Sequence, residues 1–353
     1  MLHSAFASGF RRSVVALVAV CSAASLAPAA RAQGCTGDLN EDGVIDGADL
    51  GVQLSAWGPC TGCAADINGS GVVDGADLGL LLGAWGICPG VPDWATVVQY
   101  APDPAVVTDP ALRAAIIATG RPWRVRDTAT QIEMLLVPPG TFQMGCIMGS
   151  NQNGCYGQEQ PVHQVTLTNA FYLGRYEVTQ AQWQARMGSN PSWFNFADTP
   201  NRPVETVSWT TIQGFLSATG LRLPTEAEWE CACRAGTQTP FYDNSTDDNT
   251  LGALAWYWQN AGSKTRPVGG KAANAFGFHD MLGNVWEWVN DWYASYSGNA
   301  QTNPAGPVNA TARVLRGGGW NVNAAGYVRS SSRTYGAPGY AVNTIGFRVA
   351  RTP

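Results

Sequence analysis

The order of apolar and polar positions divides the chain into short segments. Between residues 33 and 88 one pattern occurs twice, as CTGDLNEDGVIDGADLGVQLSAWGPC and CAADINGSGVVDGADLGLLLGAWGIC. In each copy an Asp/Gly-rich half precedes an apolar stripe: Leu50, Leu54 and Trp57 at i, i+4 and i+7, then Leu78, Leu82 and Trp85 at the same spacing. That period predicts two short helices whose stripes can pack on each other. Further along, DPALRAAIIATG predicts a helix stopped by Gly120, and QIEMLLVPPGTFQMG two strands about a Pro-Pro-Gly turn. QVTLTNAFYLGRYEVT continues the strand pattern and TQAQWQARMG predicts a helix. LPTEAEWECACRAG predicts another, opened by a capping box of Thr225 and Glu228. The remainder reads as Gly- and Trp-punctuated loop with short strands.

At the N-terminus a basic leader, an apolar run around SVVALVAV and an A-x-A site at Ala30–Ala32 predict a signal peptide over 1–32, removing Cys21 and directing the chain outside the cell. PGVPDW after Cys88 reads as the start of a linker, 89–102, before one long domain, 103–353. The chain is 45% hydrophobic and only 13% charged, with 41 Gly and 14 Trp, which suits a loop-rich globular protein rather than a disordered one. The formal charge of −5 is uneven. Eight acids and no base fall between residues 33 and 88, while the long domain is balanced. Nucleic-acid binding by charge is therefore not expected, and no stretch after the leader predicts a membrane span.

Eight cysteines remain after the leader, an even count that favours disulfides in an exported chain. Each repeat begins and ends with a cysteine, so Cys35–Cys60 and Cys63–Cys88 are the natural staples. Cys231 and Cys233, two apart on a helix, point to different faces and are expected to pair separately, with Cys146 and Cys155 as available partners.

In the first repeat Asp38, Asn40, Asp42, Asp46 and Asp49 stand at positions 1, 3, 5, 9 and 12 of a calcium loop. Gly43 is at the turn position and Val44 offers its carbonyl. In the second, Asp66, Asn68, Ser70, Val72, Asp74 and Asp77 repeat the pattern around Gly71. Oxygen ligands at these spacings suit Ca2+, and the incoming helix of a full EF-hand is missing. Residues 35–88 resemble a type I dockerin. The resemblance implies a cohesin-like protein partner, met through Gly47-Ala48 and Gly75-Ala76 at loop positions 10 and 11, in either of two orientations.

From Leu136 to Arg351 eight blocks occur in order, among them LVPPGTFQMG, LRLPTEAEWE, FGFHDMLGNVWEWVNDWY, RVLRGGGW and IGFRVAR. Together they resemble the formylglycine-generating enzyme, or sulfatase-modifying-factor, family. The resemblance implies an irregular α+β fold of the C-type-lectin kind. It also implies copper-dependent oxidation of a substrate cysteine through two cysteine thiolates. Here those two positions are Val322 and Tyr327, so no catalytic residue is assigned and copper is not expected. In GNVWEW the family pattern implies a calcium site of the Asn284 side chain, the Val285 carbonyl, the Glu287 side chain and the Val289 carbonyl. His163 and His279 are isolated and read as structural, and Asp280 and Asp291 flank a Trp cluster without evident catalytic pairing.

Between the fixed-looking RGGGW and IGFRVAR lies a patchwork of Asn, Ala, Gly, Tyr and Ser, the palette of adaptable binding surfaces and of lectin-fold proteins with diversified C-terminal positions. Trp320, Asn321, Asn323, Tyr327, Arg329, Tyr335, Tyr340 and Asn343 are expected on one exposed concave face, binding a protein or carbohydrate ligand. Arg316, Phe347 and Arg348 are expected to be buried beneath it. The chain thus reads as a secreted, calcium-binding, non-catalytic recognition or display protein tethered through its N-terminal arm. The alternative is an oxidoreductase of the formylglycine family with atypical ligands.

Overall fold

A computed structural model describes residues 35–147, 155–246 and 248–353. The expected signal peptide lies outside the described residues.

Each N-terminal repeat folds as a loop followed by one helix, α1 (Gly47–Ser55) and α2 (Gly75–Gly83). Asp46 and Asp49 close a capping box on α1, and Asp74 and Asp77 do the same on α2. The repeats pair crosswise: Val44–Ile45 lies antiparallel to Gly86–Ile87, and Gly58–Pro59 to Val72–Val73. This crossing corrects the expected disulfides. The end of the second repeat returns to the start of the first, so Cys35 bonds Cys88 (Cα–Cα 5.3 Å), and Cys60 bonds Cys63 across a short turn (5.7 Å).

The helix stripes do not pack on each other as expected. Leu54, Trp57, Leu82 and Trp85 are exposed, at 51%, 50%, 50% and 50%. The buried face carries Asp49 and Gln53 on α1, and Asp77 and Leu81 on α2. The cause is the carboxylate at the head of each helix. Asp49 accepts from the Leu39 N–H (2.6 Å) and Asn40 N–H (3.1 Å) with one oxygen and from the Asp46 N–H (2.9 Å) with the other. These bonds draw the first turn toward the loop and rotate the apolar stripe outward.

The expected linker contains a strand, Ala95–Gln99, which forms the edge of a five-stranded antiparallel sheet. The sheet continues through Arg124–Asp127, Glu133–Val137, Phe171–Gly174 and Ala350–Arg351. A four-stranded sheet runs Arg333–Gly336, Arg313–Arg316, Trp286–Trp292, Ile345–Phe347, with only the last pair parallel. A smaller sheet joins Gly140–Met144, His163–Leu167 and Gln301–Thr302.

The longer helices of this part are α3 (Pro110–Ile117), α4 (Gln180–Met187), α5 (Trp209–Thr219), which packs on α4, and α6 (Glu226–Arg234), which packs on strands of the three- and four-stranded sheets. The capping boxes of α4 (Thr179, Gln182) and α6 (Thr225, Glu228) form as their sequences specify. One continuous core includes Trp183 stacked on Phe215 at 5.4 Å, with Phe347 edge-on to both. The result is mixed α and β with much irregular chain.

The glycine run at 317–319 is structural. At Gly318 φ is +80°, and a Cβ there would lie 2.5 Å from Val328 Cγ1 and 2.7 Å from the Tyr327 carbonyl oxygen. Gly318→Ala should therefore lose about 1–3 kcal/mol in denaturant unfolding through backbone strain and overlap. Gly339→Ala, whose Cβ would meet open space, should stay near wild type.

Candidate functional site

The segment from Arg316 to Arg333 is held from below by buried ion pairs. Arg316 reaches Glu230 of α6 at 2.5 Å, and its two terminal nitrogens donate to the Ser331 and Ser330 carbonyls, each at 2.9 Å. Arg234, one turn along α6, pairs with the same Glu230 at 2.8 Å. Burial pushes the Glu230 carboxyl up, but the two arginines outweigh it and hold it below the usual range. Arg333 pairs with Glu226 through two bonds of 2.7 Å, and Arg348 pairs with Glu287 at 2.6 and 2.7 Å. Arg316, Phe347 and Arg348 are buried, in line with their scaffold assignment.

Arg329 is corrected. Placed on the surface by sequence, it is 1% exposed and pairs with Glu159 at 2.7 Å, with Ser331 donating to the same carboxylate at 2.8 Å. A run of Ser and Arg looks solvated; buried acids supplied from residues 158–230 turn it inward.

Of the two positions expected to carry the family's thiolates, Val322 is buried and Tyr327 exposed. Val322 donates its N–H to the Gly319 carbonyl, and its own carbonyl accepts from the Trp258 N–H, both at 3.0 Å. Tyr327 ends a 3-10 turn and stacks on Tyr156 at 5.0 Å. The remaining thiols, Cys231 and Cys233, are free; they do not pair with Cys146 and Cys155, which bond each other (Cα–Cα 5.6 Å). Burial pushes both thiols up to about 12, so at neutral pH they are protonated and poor ligands for soft metals.

In GNVWEW the Asn284 and Glu287 side-chain oxygens and the Val289 carbonyl each have a protein partner. Glu287 is held by Arg348 and by Trp229 Nε1 (2.7 Å). The Asn284 side chain accepts from the Arg266 N–H (2.9 Å) and donates to Glu177 (2.6 Å). The Val285 N–H donates to Glu177 (3.2 Å), and the Val289 carbonyl accepts from Trp209 Nε1 (3.1 Å).

The remaining surface candidates are wholly or partly exposed but enter separate contacts. Trp320 donates to the Asn343 carbonyl (3.0 Å) and meets Phe194 edge-on at 5.5 Å. Asn321 and Asn323 are exposed in the adjoining turn. Tyr335 lies against Tyr293 at 4.3 Å, and Tyr340 is exposed beyond Gly336.

In the N-terminal loops the first carboxylate of each repeat gathers backbone donors. Asp38 accepts from the Asp42 and Gly43 N–H groups (3.1 and 2.8 Å), and Asp66 from those of Ser70 and Gly71 (2.9 and 2.7 Å). Gly43 and Gly71 turn at φ +88° and +87°, as the sixth position of such a loop requires. The Val72 carbonyl accepts from Ser70 Oγ at 3.0 Å, and Asn40 donates to Asp42 at 3.0 Å. Oxygen-only donors around a sharp turn fit a hard cation.

Sequence reasoning missed a cavity of about 290 Å³ beside the N-terminus of α6, lined among others by His163, Glu226, Asp291, Trp292, Tyr296 and Arg333. Its polar members come from four separate stretches of chain, so no local motif marks it. His163 had read as a satisfied core residue. It is buried and bonded at Nδ1 to the Pro161 carbonyl (3.1 Å) as such a residue is, but it also lines the cavity; His279 is partly buried, its ring nitrogen contacts the Lys271 carbonyl at 2.9 Å, and it stacks on Tyr176.

The fold is that of the sulfatase-modifying-factor class. The family "Sulfatase-modifying factor enzyme 1-like domain" matches residues 123–353, and the chain belongs to that family. It is 32% identical over 250 residues to "Chaperone protein LppX" of Paenibacillus barcinonensis, covering 55% of this chain and 80% of that one. It is 36% identical over 157 residues to the formylglycine-generating enzyme of Thermomonospora curvata, covering 40% of this chain but only 51% of that enzyme. The solved structure of Treponema denticola variable protein 1 is similar at a TM-score of 0.57 and 31% identity, covering 63% of this chain and 95% of that one.

Asp291 yields a pH prediction. Burial, and then Glu226, raise its carboxyl from 3.8 to about 8. Glu226 and Glu228 on α6, Arg333 and Arg313 on neighbouring strands, and His163 and Tyr296 across the cavity surround it. A raised acid pKa favours the native state fully below about pH 4, and the advantage is lost as pH rises through about 8. Asp291→Asn should therefore gain little stability over wild type near pH 4 and progressively more up to about pH 8, read as Tm against pH.

Proposed function

We propose that this chain is an exported, non-catalytic recognition module carried on a calcium-loaded, dockerin-like arm. The observation that carries the reading is the pair Val322 and Tyr327 at the two expected thiolate positions, with the free thiols Cys231, half-buried, and Cys233, buried, both protonated at neutral pH. Its large domain keeps the ionic frame of a rigid scaffold and offers Trp320, Asn321, Asn323, Tyr327, Tyr335, Tyr340 and Asn343 to a protein or carbohydrate ligand. A relative named as a chaperone and a similar structure named as a variable protein support a role in recognition. Three disulfides, and no helix among the described residues long and apolar enough to cross a membrane, are consistent with an extracellular life. Family membership favours the second reading, oxidation of a sulfatase cysteine to formylglycine.

Metal analysis decides between them. The purified chain should hold no stoichiometric copper and leave a Cys-x-Pro-x-Arg peptide unchanged under O2; copper with turnover would establish the oxidoreductase.

In the arm, Asp38, Asn40, Asp42, Val44, Asp46 and Asp49 would hold one Ca2+, and Asp66, Asn68, Ser70, Val72, Asp74 and Asp77 a second. Each ion would neutralise carboxylates that otherwise repel one another in a unit without a basic residue. The repeated pair of exposed Leu54/Trp57 and Leu82/Trp85, beside Gly47-Ala48 and Gly75-Ala76, supplies the docking face for a cohesin-like partner. Calorimetry on the mature chain should count two calcium ions, and Asp38→Ala should remove one while leaving the other; absence of calcium heat in the wild type would refute the arm's assignment.

A further inference from the structure

We propose that the cavity beside α6 is a binding site for one uncharged sugar ring, free or at the end of a glycan. It lies apart from the loop surface assigned above and does not depend on that reading. At about 290 Å³ it sits at the lower end of ligand pockets, which begin near roughly 300 Å³, and so suits a single ring.

Its chemistry is polar but without net charge. Glu226 and Arg333, both buried, neutralise each other through two bonds of 2.7 Å, and the Tyr296 hydroxyl donates to the same carboxylate at 3.0 Å. Asp291, 4% exposed, accepts the Glu226 N–H with one oxygen (2.9 Å). Its other oxygen has no hydrogen-bond partner among the described residues, and with its pKa near 8 the group carries a proton at neutral pH. His163, 3% exposed, uses Nδ1 on the Pro161 carbonyl (3.1 Å), leaving Nε2 without a partner among the described residues. A carboxyl O–H and an imidazole nitrogen match hydroxyls, which both donate and accept. A charged ligand would find no counter-charge.

Trp292, Tyr296 and the Pro304–Pro307 turn give the apolar walls, and Ser295, Ser297 and Gln301 add hydroxyl and amide groups at the margin. His163 packs on Tyr296 at 4.8 Å and the Arg333 guanidinium lies 4.0 Å over the same ring, so this aromatic is fixed in place. A pyranose presents a C–H face and a hydroxyl rim, complementary to such a two-sided wall. Hydrolysis is not assigned, because both oxygens of Glu226 are taken by Arg333 and only one free carboxyl remains where glycoside cleavage uses two.

The test is saturation-transfer NMR on the full mature chain. Its probes are the methyl glycosides of glucose, galactose, mannose and N-acetylglucosamine, with glucuronate and N-acetylalanine methylamide for comparison. At least one neutral glycoside should receive saturation. Ala305→Phe, built from an exposed wall residue, should weaken that binding about tenfold or more. Ser295→Trp, on another exposed wall position, should do the same, so that misfolding of one variant leaves a second reading. Tyr327→Ala should leave the signal intact. Failure of every neutral glycoside up to tens of millimolar, persistence of the signal in both blocked variants, or preference for glucuronate or the blocked amide would overturn the assignment.

Discussion

The large domain depends on the buried carboxylate of Glu230. Two guanidiniums converge on it, Arg234 from its own helix and Arg316 from the adjacent sheet. The Gly145 N–H donates to it as well, at 2.9 Å, and Arg234 returns a bond to the Gly145 carbonyl at 2.6 Å. Three otherwise unconnected stretches are thereby fastened at one point. Removing Glu230 would leave two buried guanidiniums without the carboxylate they share, a loss of about 3–5 kcal/mol for a broken buried pair. Trp229, the preceding residue, lies under Gly317 and donates to Glu287, which holds Arg348. Two successive residues of α6 thus tie two ionic clusters together, and the chain from Arg316 to Arg333 follows them.

This frame holds the segment's shape without help from the side chains at 322 and 327. Val322 is fixed by its backbone, between Gly319 and Trp258, and Tyr327 by a short turn and a stack on Tyr156. Neither side chain enters the ion pairs beneath. Tyr327 is held only by its turn and its stack and the Val322 side chain only by the apolar core it packs in, whereas Arg316, Glu230 and Gly318 are bound by charge and by contact distances that admit little else.

What could be read from the sequence was what is local. The box at Thr225/Glu228 needs only neighbours and formed as read, and the helix expected in TQAQWQARMG formed with a box of its own at Thr179/Gln182. The disulfides were misread because pairing depends on how two repeats cross, which no single repeat encodes. The helix stripes were misread for a related reason: Leu54 and Trp57 have the right period, but three backbone N–H groups on Asp49 set the rotation. Arg329 went inward because Glu159, far away in sequence, waits for it. The cavity was illegible since His163, Glu226, Asp291 and Arg333 meet only after two sheets and α6 are in place.

The crossing has a further consequence for the arm. Gly43, at the turn of the first loop, has no room for a side chain, since a Cβ would stand 2.4 Å from Val97 Cγ2 on the edge strand of the five-stranded sheet. Tyr100, just beyond that strand, belongs to the small core of Ile45, Leu81 and Cys88, and its hydroxyl donates to the Pro89 and Gly120 carbonyls. The arm is therefore packed on the sheet edge rather than hung from a loose tether, and it covers an edge that would otherwise be open to other strands. If calcium organises the first loop as proposed, its binding energy acts directly on the strand that borders the large domain. Docking at the exposed Leu–Trp pairs and order at the sheet edge would then share one structural element.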